Sequence, residues 1–204
     1  MSVHGDPILE PVSFVVEPGF SVAIVGPSGS GKTTLLDCLV AIRAPSVGQI
    51  RLGEMPISEL REPDASAFRR TSVGMVSQDA GLLDELTVID NVALVARFNG
   101  VAPAVAQTAA RSQLVSVGLT GRGGEGIGHL SGGEAHRVAI ARATCSPVLM
   151  LVADEPTASL DRTNATMITE LLITRSRDLA IPLVVATHDL AVAAACDFVV
   201  DLGG

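Results

Sequence analysis

The sequence predicts an α/β fold with a mostly parallel sheet, an antiparallel edge and an inserted helical region. Apolar runs at residues 20–26, 147–155 and 181–189 end in glycine or polar residues, a pattern typical of parallel strands buried on both faces. Residues 164–179 have helical spacing and would supply a crossover between two of these strands. The chain has 204 residues, 48% of them apolar, and is therefore long enough to bury such a core.

The remaining segments predict where the sheet edge and the helical region lie. Residues 7–19 (PILEPVSFVVEPG) and 48–57 (GQIRLGEMPI) alternate apolar and polar residues around Gly and Pro, which predicts antiparallel strands. Residues from about 82 to 143 have helical spacing throughout. We therefore predict one domain over residues 1–204. Its core would comprise about 1–78 and 146–204, and its helical subdomain about 79–145.

Composition excludes several classes of protein. The net charge is −8 and the positive charges are scattered, so a nucleic-acid partner is not expected. Cys38, Cys145 and Cys196 lie far apart, which predicts small buried side chains in a reducing compartment and no zinc site. No apolar run approaches the roughly 18 residues that cross a bilayer, and the N-terminus lacks a signal pattern. A cytoplasmic protein is expected.

The first motif with chemical meaning is GPSGSGKT at residues 26–33, between a predicted strand and a predicted helix. Successive main-chain N–H groups of such a loop wrap a phosphate at a helix N-terminus. Lys32 would reach the β- and γ-phosphates, and Thr33 would bind Mg²⁺. The residues expected to bind the nucleotide here are Gly26, Pro27, Ser28, Gly29, Ser30, Gly31, Lys32, Thr33 and Thr34.

A pair of carboxylates ends the apolar run VLMLVADE at residues 148–155. Asp154 is placed to hold the Mg²⁺ shell, and Glu155 to orient or deprotonate the water that attacks the γ-phosphate. A solvated strand end would look the same in isolation, but the phosphate loop makes that reading weak. The two motifs indicate a P-loop ATPase or GTPase, with a kinase, a GTPase and a motor still open.

The stretch LSGGE at residues 130–134 separates these alternatives. It resembles the signature motif of ATP-binding cassette (ABC) ATPases, and the other motifs of that family follow in order: Gln78 in MVSQD, SLD at 159–161 and His188 in ATHD. The resemblance covers essentially the whole chain. It implies a P-loop NTPase fold with a RecA-like core, and it disfavours a nucleotide or sugar kinase, which would have no use for LSGGE.

The glycine pair of LSGGE has a physical role. Ser131, Gly132 and Gly133 stand at a predicted helix start, where free N–H groups and the positive end of the helix dipole favour an anion. The resemblance implies that this segment, with Glu134, closes over ATP held by a second subunit. A head-to-tail homodimer with two competent composite sites is therefore expected.

The resemblance also implies roles for single residues. Gln78 matches the glutamine that contacts Mg²⁺ and the attacking water, Asp161 the aspartate that crosses the dimer interface, and His188 the histidine that contacts the γ-phosphate. The expected Mg²⁺ ligands are thus Thr33, Gln78 and Asp154, and the expected catalytic residues are Glu155, His188 and Gln78.

The other three histidines give less information about function. His4 stands at or near the position where the family usually has an aromatic residue that stacks on adenine, so weaker ATP binding or less preference for adenine is expected. His129 and His136 are predicted to flank a helix at the surface.

Residues 130–143 and LLDELTVIDNV at 82–92 look most like the ATPases of lipoprotein-release, macrolide-export and cell-division systems. The resemblance implies an ABC transporter subunit on the inner face of the membrane, attached through a separate permease that it drives. The expected role is export, or the handling of lipoproteins, lipids or peptides. A cell-division type of ATPase that signals without transport is the alternative. A soluble ABC ATPase of DNA repair or translation fits less well, because coiled coils and a second cassette are missing.

Overall fold

A computed structural model describes residues 2–3, 6–7 and 10–203 of the chain. Its strands are β1 (Ser2–Val3), β2 (Asp6–Pro7), β3 (Ser21–Val25), β4 (Arg51–Leu52), β5 (Met55–Pro56), β6 (Val73–Val76), β7 (Met150–Asp154), β8 (Leu183–Ala186) and β9 (Phe198–Asp201). Its helices are α1 (Lys32–Leu39), α2 (Asp64–Ser72), α3 (Val88–Phe98), α4 (Pro103–Ser116), α5 (Gly132–Ala143), α6 (Arg162–Leu179) and α7 (Leu190–Ala195).

The central sheet has five parallel strands in the order β6-β7-β8-β3-β9. The three apolar runs form β3, β7 and β8, as predicted, and these are its three inner strands. Alternate side chains enter apolar clusters on opposite faces: Ile24 packs with Leu36 of α1, while Leu183 packs with Ile140 of α5 and Ile168 of α6. Burial on both faces explains the unbroken apolar runs.

The predicted helical region forms α3, α4 and α5. Ala93 of α3 and Ala106 and Ala110 of α4 are completely buried, and such small side chains let the helices approach closely. Their apolar cluster continues onto the sheet and α6 through Leu151 and Ile168. The division into a core and a helical subdomain stays a prediction. No helix in the described part of the chain is long and apolar enough to cross a membrane.

The antiparallel edge is smaller than predicted. Residues 48–57 contain the two-residue hairpin of β4 and β5, and β1 pairs with β2. Over residues 10–20, however, no strand forms. Val12, Phe14 and Val16 pack on the core while Val15 is exposed, so the alternation correctly indicates the buried face. A ladder also requires a neighbouring backbone to pair with, which alternation does not report.

Candidate nucleotide site

The polar and charged residues of the predicted site lie where the parallel strands end, which is the usual ligand position in such sheets. The loop at 26–31 follows β3, Gln78 follows β6, Asp154 ends β7 and His188 follows β8. Together they form one cleft. Its lining residues are Ser28, Gly29, Gly31, Lys32, Thr33, Thr34, Gln78, Asp154, Glu155, Ala158 and His188.

The loop before α1 is shaped to receive an anion. Gly31 precedes α1 with a left-handed φ of 96°, and no side chain caps this helix, so its first N–H groups can bind a ligand. The ammonium group of Lys32 donates to the carbonyl oxygens of Gly26 at 2.8 Å and Pro27 at 3.2 Å. Gly26 must be a glycine, because a Cβ there would lie 2.5 Å from the buried Oγ of Ser30.

Two oxygen ligands meet beside this loop. Thr33 Oγ1 donates to Asp154 Oδ2 at 3.4 Å, and Gln78 lines the same cleft. Burial, and then the neighbouring charge of Glu155, raise the pKa of Asp154. Mg²⁺ takes few protein ligands and completes its shell with water and phosphate oxygens. A hydroxyl beside a carboxylate fits that requirement, although the described residues contain no group of three His, Cys, Asp or Glu side chains able to hold a metal.

Glu155 is held in a strained position at the edge of the cleft. Its φ of 47° is left-handed, which is costly for a residue with a Cβ and is common at functional sites. Its main-chain N–H donates to Ala186 at 2.9 Å, so the sheet fixes it. Its Oε2 lies 2.9 Å from His188 Nδ1 and its Oε1 lies 3.9 Å from Lys32 Nζ. The carboxylate therefore faces the same cleft as the lysine and the histidine.

The LSGGE segment caps α5 in a reciprocal manner. Ser131 Oγ accepts from the N–H of Glu134 at 3.3 Å, while Glu134 Oε2 accepts from the main chain and hydroxyl of Ser131, both at 2.8 Å. Arg122 donates to the other carboxylate oxygen at 2.7 Å. The Ser131 hydrogen bonds and then Arg122 lower the pKa of Glu134 to about 2. The carboxylate of Glu134 is therefore engaged within its own chain.

The start of α5 abuts the start of α6. Gly133 is buried against Asn164, while Ser131 and Gly132 are exposed. Asp161 caps α6 by accepting from the main-chain and side-chain amides of Asn164, at 2.9 and 2.6 Å. None of the residues 131–134, nor Asp161, lines the cleft around Lys32. The predicted site residues thus form two separate groups on one chain.

One prediction about the histidines is wrong, and one lies outside the structure. His129 is exposed as predicted, but His136 is only 3% exposed. It occupies the same stripe of α5 as Ala139, Ile140 and Ala143, and this 3–4–7 spacing could have predicted its burial. His4 lies outside the described residues.

This fold and cleft define a P-loop nucleoside triphosphatase. The chain matches the family model described as "ABC transporter" over residues 9–158. It belongs to the ATP-binding domains of the ABC transporter family, and it is an ABC-type ATPase.

Named relatives and solved structures resemble it over nearly its whole length. The lipoprotein-releasing system ATP-binding protein LolD of Koribacter versatilis is 42% identical over 195 residues, covering 96% of this chain and 87% of that protein. An uncharacterised ABC transporter ATP-binding protein of Mycobacterium tuberculosis is 36% identical, covering 97% and 79%. The cassette MJ0796, solved as a post-hydrolysis dimer with ADP and Pi, has a TM-score of 0.83 at 30% identity, covering 96% of this chain and 86% of that one.

Proposed function

We propose that this ATPase dimerises head to tail around two Mg-ATP and drives a separate membrane protein that handles lipoproteins, lipids or peptides. The proposed dimer rests on one observation, the separation of the two groups of site residues on each chain. The loop with Lys32 lies in one cleft, and Ser131 and Gly132 are exposed outside it. The dimeric structure of the cassette MJ0796 supports dimerisation. The lipoprotein-release name of several relatives supports the cargo class.

Within each cleft, this chain's residues divide the work of hydrolysis. The N–H groups at the start of α1 and the ammonium of Lys32 hold the phosphates. Glu155 orients the attacking water and accepts its proton, while His188 fixes the Glu155 carboxylate through the 2.9 Å contact. Thr33, Asp154 and Gln78 would hold Mg²⁺, which neutralises phosphate charge when bound.

The second half of each site would come from the other subunit. The N–H and the hydroxyl of Ser131 both donate to Glu134. Gly132, however, is exposed at the N-terminus of a twelve-residue helix, so its N–H group and the helix dipole can approach a γ-phosphate bound by the neighbouring chain. Asp161 stands beside them and would lie at the same interface. Closure on ATP and opening after hydrolysis would supply the mechanical stroke.

Several exposed apolar side chains lie at the end of α3 and the start of α4. Phe98 is 70% exposed at the end of α3, and Val101 and Val105 are exposed just beyond it, at the turn into α4 and in its first turn. Apolar side chains grouped this way are typical of interaction sites. We propose that this turn contacts the permease, which would hold the ATPase at the cytoplasmic face of the membrane.

Replacing Glu155 by Gln tests the composite site. Glu155→Gln should abolish turnover yet form an ATP-bound dimer, seen as a doubled mass by light scattering at saturating Mg-ATP. Glu170→Gln, the same change at an exposed position of α6, is the matched control and should hydrolyse ATP normally. A folded Glu155→Gln protein that binds ATP but stays monomeric would exclude the composite site. Co-purification from membranes then identifies the permease.

A further inference from the structure

The carbonyl oxygen of Gln78 joins three distant segments of the chain. His136 Nε2 lies 3.1 Å from it, and the hydroxyl of Ser159 donates to it at 3.4 Å. His136 belongs to α5, whose first turn carries the LSGGE glycines, and Ser159 lies in the SLD segment before α6. The main chain of a proposed Mg²⁺ and water ligand is therefore tied to both elements that would face the other subunit.

Both ring nitrogens of His136 face main-chain carbonyl oxygens, and the tautomer with its proton on Nε2 donates to Gln78. Nδ1 lies 3.0 Å from the carbonyl oxygen of Gly132, one turn earlier on α5, while Nε2 faces Gln78. The ring is 3% exposed and thus has no freedom to leave this position. A second side chain of α5 repeats the link, because Arg142 donates to the carbonyl oxygens of Ala80, at 2.8 Å, and Gly81. The loop at 78–81 is therefore bonded to α5 at three carbonyl groups.

We infer that His136 is a positioning residue that makes Gln78 follow the LSGGE end of α5. This inference rests on the proposed composite sites. When Gly132 at the start of α5 engages the nucleotide of the other subunit, α5 is held, and His136 passes that constraint to Gln78 in its own cleft. Closure of either site thereby raises the turnover rate of the other site, without being an absolute requirement for it. The linkage couples the two sites without requiring His136 to touch either nucleotide.

A purely structural role would look different. His136 could act only as a buried side chain whose loss leaves a cavity, in which case catalysis would fall no further than stability explains. Val138, two residues along the same helix and completely buried, offers a matched control. Val138→Ala creates a cavity at α5 but removes no hydrogen bond to the loop at 78–81, because a valine side chain has no polar atom.

The experiment compares His136→Ala, His136→Gln and Val138→Ala in the full chain. His136→Ala should lower kcat by about tenfold or more, because small displacements of a positioned group cost that much. KM for Mg-ATP, and the Kd for trinitrophenyl-ATP, should change by less than about twofold, since the phosphate loop is untouched. His136→Gln should regain most of kcat, because its amide can donate to a carbonyl oxygen. Val138→Ala should retain kcat at an equal or larger loss of melting temperature.

Four results would overturn the inference. A wild-type kcat in His136→Ala, a rise in KM without a change in kcat, or equal losses of kcat in His136→Ala and Val138→Ala would each assign His136 a packing role only. Failure of His136→Gln to regain activity, while remaining folded, would remove the hydrogen bond as the cause. If instead wild-type protein hydrolyses no ATP, or Glu155→Gln forms no dimer, the proposed function fails and the inference falls with it.

Discussion

Gly133 packs so closely against Asn164 that a Cβ in its place would have to displace the Asn164 side chain. A Cβ at position 133 would overlap Asn164 Oδ1 and lie 2.9 Å from its Cγ. Asn164 is held there because its amide donates to Asp161 at 2.6 Å. The second glycine of LSGGE therefore has a role within its own chain: it lets the start of α5 seat on the start of α6.

The two glycines should respond differently to alanine. Gly133→Ala should lower the free energy of unfolding by about 1–3 kcal/mol, as overpacking does. Gly132→Ala should cost less than about 1 kcal/mol, because its Cβ would meet only Leu160 Cδ2, at 3.2 Å, and alanine favours the helix. Urea unfolding measures both. Asn164→Ala should relieve Gly133→Ala in the double variant, and strictly additive losses would refute the contact.

The capping of α5 should depend on pH through Glu134. Its pKa of about 2 in the folded state lies below the ordinary value of 4.5, so the folded state favours the charged carboxylate. This stabilisation is fully present above pH 4.5 and is lost as the pH falls towards 2. The stability difference between wild type and Glu134→Gln, measured by urea unfolding, should be largest near neutral pH and shrink below pH 4.5. A constant difference would contradict the account.

Asp197 should stabilise the start of β3, one of the inner strands of the sheet. It accepts from the main chain and hydroxyl of Ser21, at 2.8 and 2.6 Å, and from Arg177 at 3.0 Å. The Ser21 hydroxyl is the largest cause of its lowered pKa. Asp197→Asn should cost about 1–2 kcal/mol at pH 7. Because the pKa of Asp197 in the folded state lies below the ordinary value of 3.8, the stability lost in Asp197→Asn should shrink as the pH falls below 3.8 and through the folded-state pKa. Glu170→Gln is the neutral control in thermal unfolding.

His188 should affect turnover more than nucleotide binding. Its contact with Glu155 positions the carboxylate proposed to accept the proton, so His188→Ala should lower kcat by about a hundredfold or more. The Kd for trinitrophenyl-ATP should change little, because Lys32 and the phosphate loop remain. His129→Ala, at an exposed position, is the control and should keep its activity. A normal kcat in His188→Ala would remove this histidine from the mechanism.

The inner strands were predictable from sequence because burial on both faces leaves an unbroken apolar run. The edge strands β6 and β9 were not, because they are only partly covered: Met75, Phe198 and Val199 are exposed. The short helices α2 and α7 were missed as well. In each case the local sequence pattern is weak, and the element is stabilised mainly by packing against the rest of the fold.

The same limit applies at the site. The motifs identified the residues of the cleft, because their chemistry depends on residue type and spacing. Two contacts did not follow from them. The seating of Gly133 on Asn164 and the bridge from His136 to Gln78 both join segments far apart in the chain. His136 was misjudged because its polarity suggested the surface, although its helical position lies on the buried stripe.

The central claim is that each nucleotide is enclosed by two chains, and mixing two inactive variants tests it most directly. Lys32→Ala disables the phosphate loop, and Gly132→Asp places a negative charge where the γ-phosphate of the other chain would lie. Each variant alone should be inactive. Mixed in equal amounts, they should recover up to about one quarter of wild-type ATPase activity, because random pairing makes half of the dimers mixed and each mixed dimer holds one intact site. Lys32→Ala mixed with the double variant Lys32→Ala/Gly132→Asp should stay inactive. If both variants are folded and the first mixture is no more active than its separate components, the composite site is contradicted.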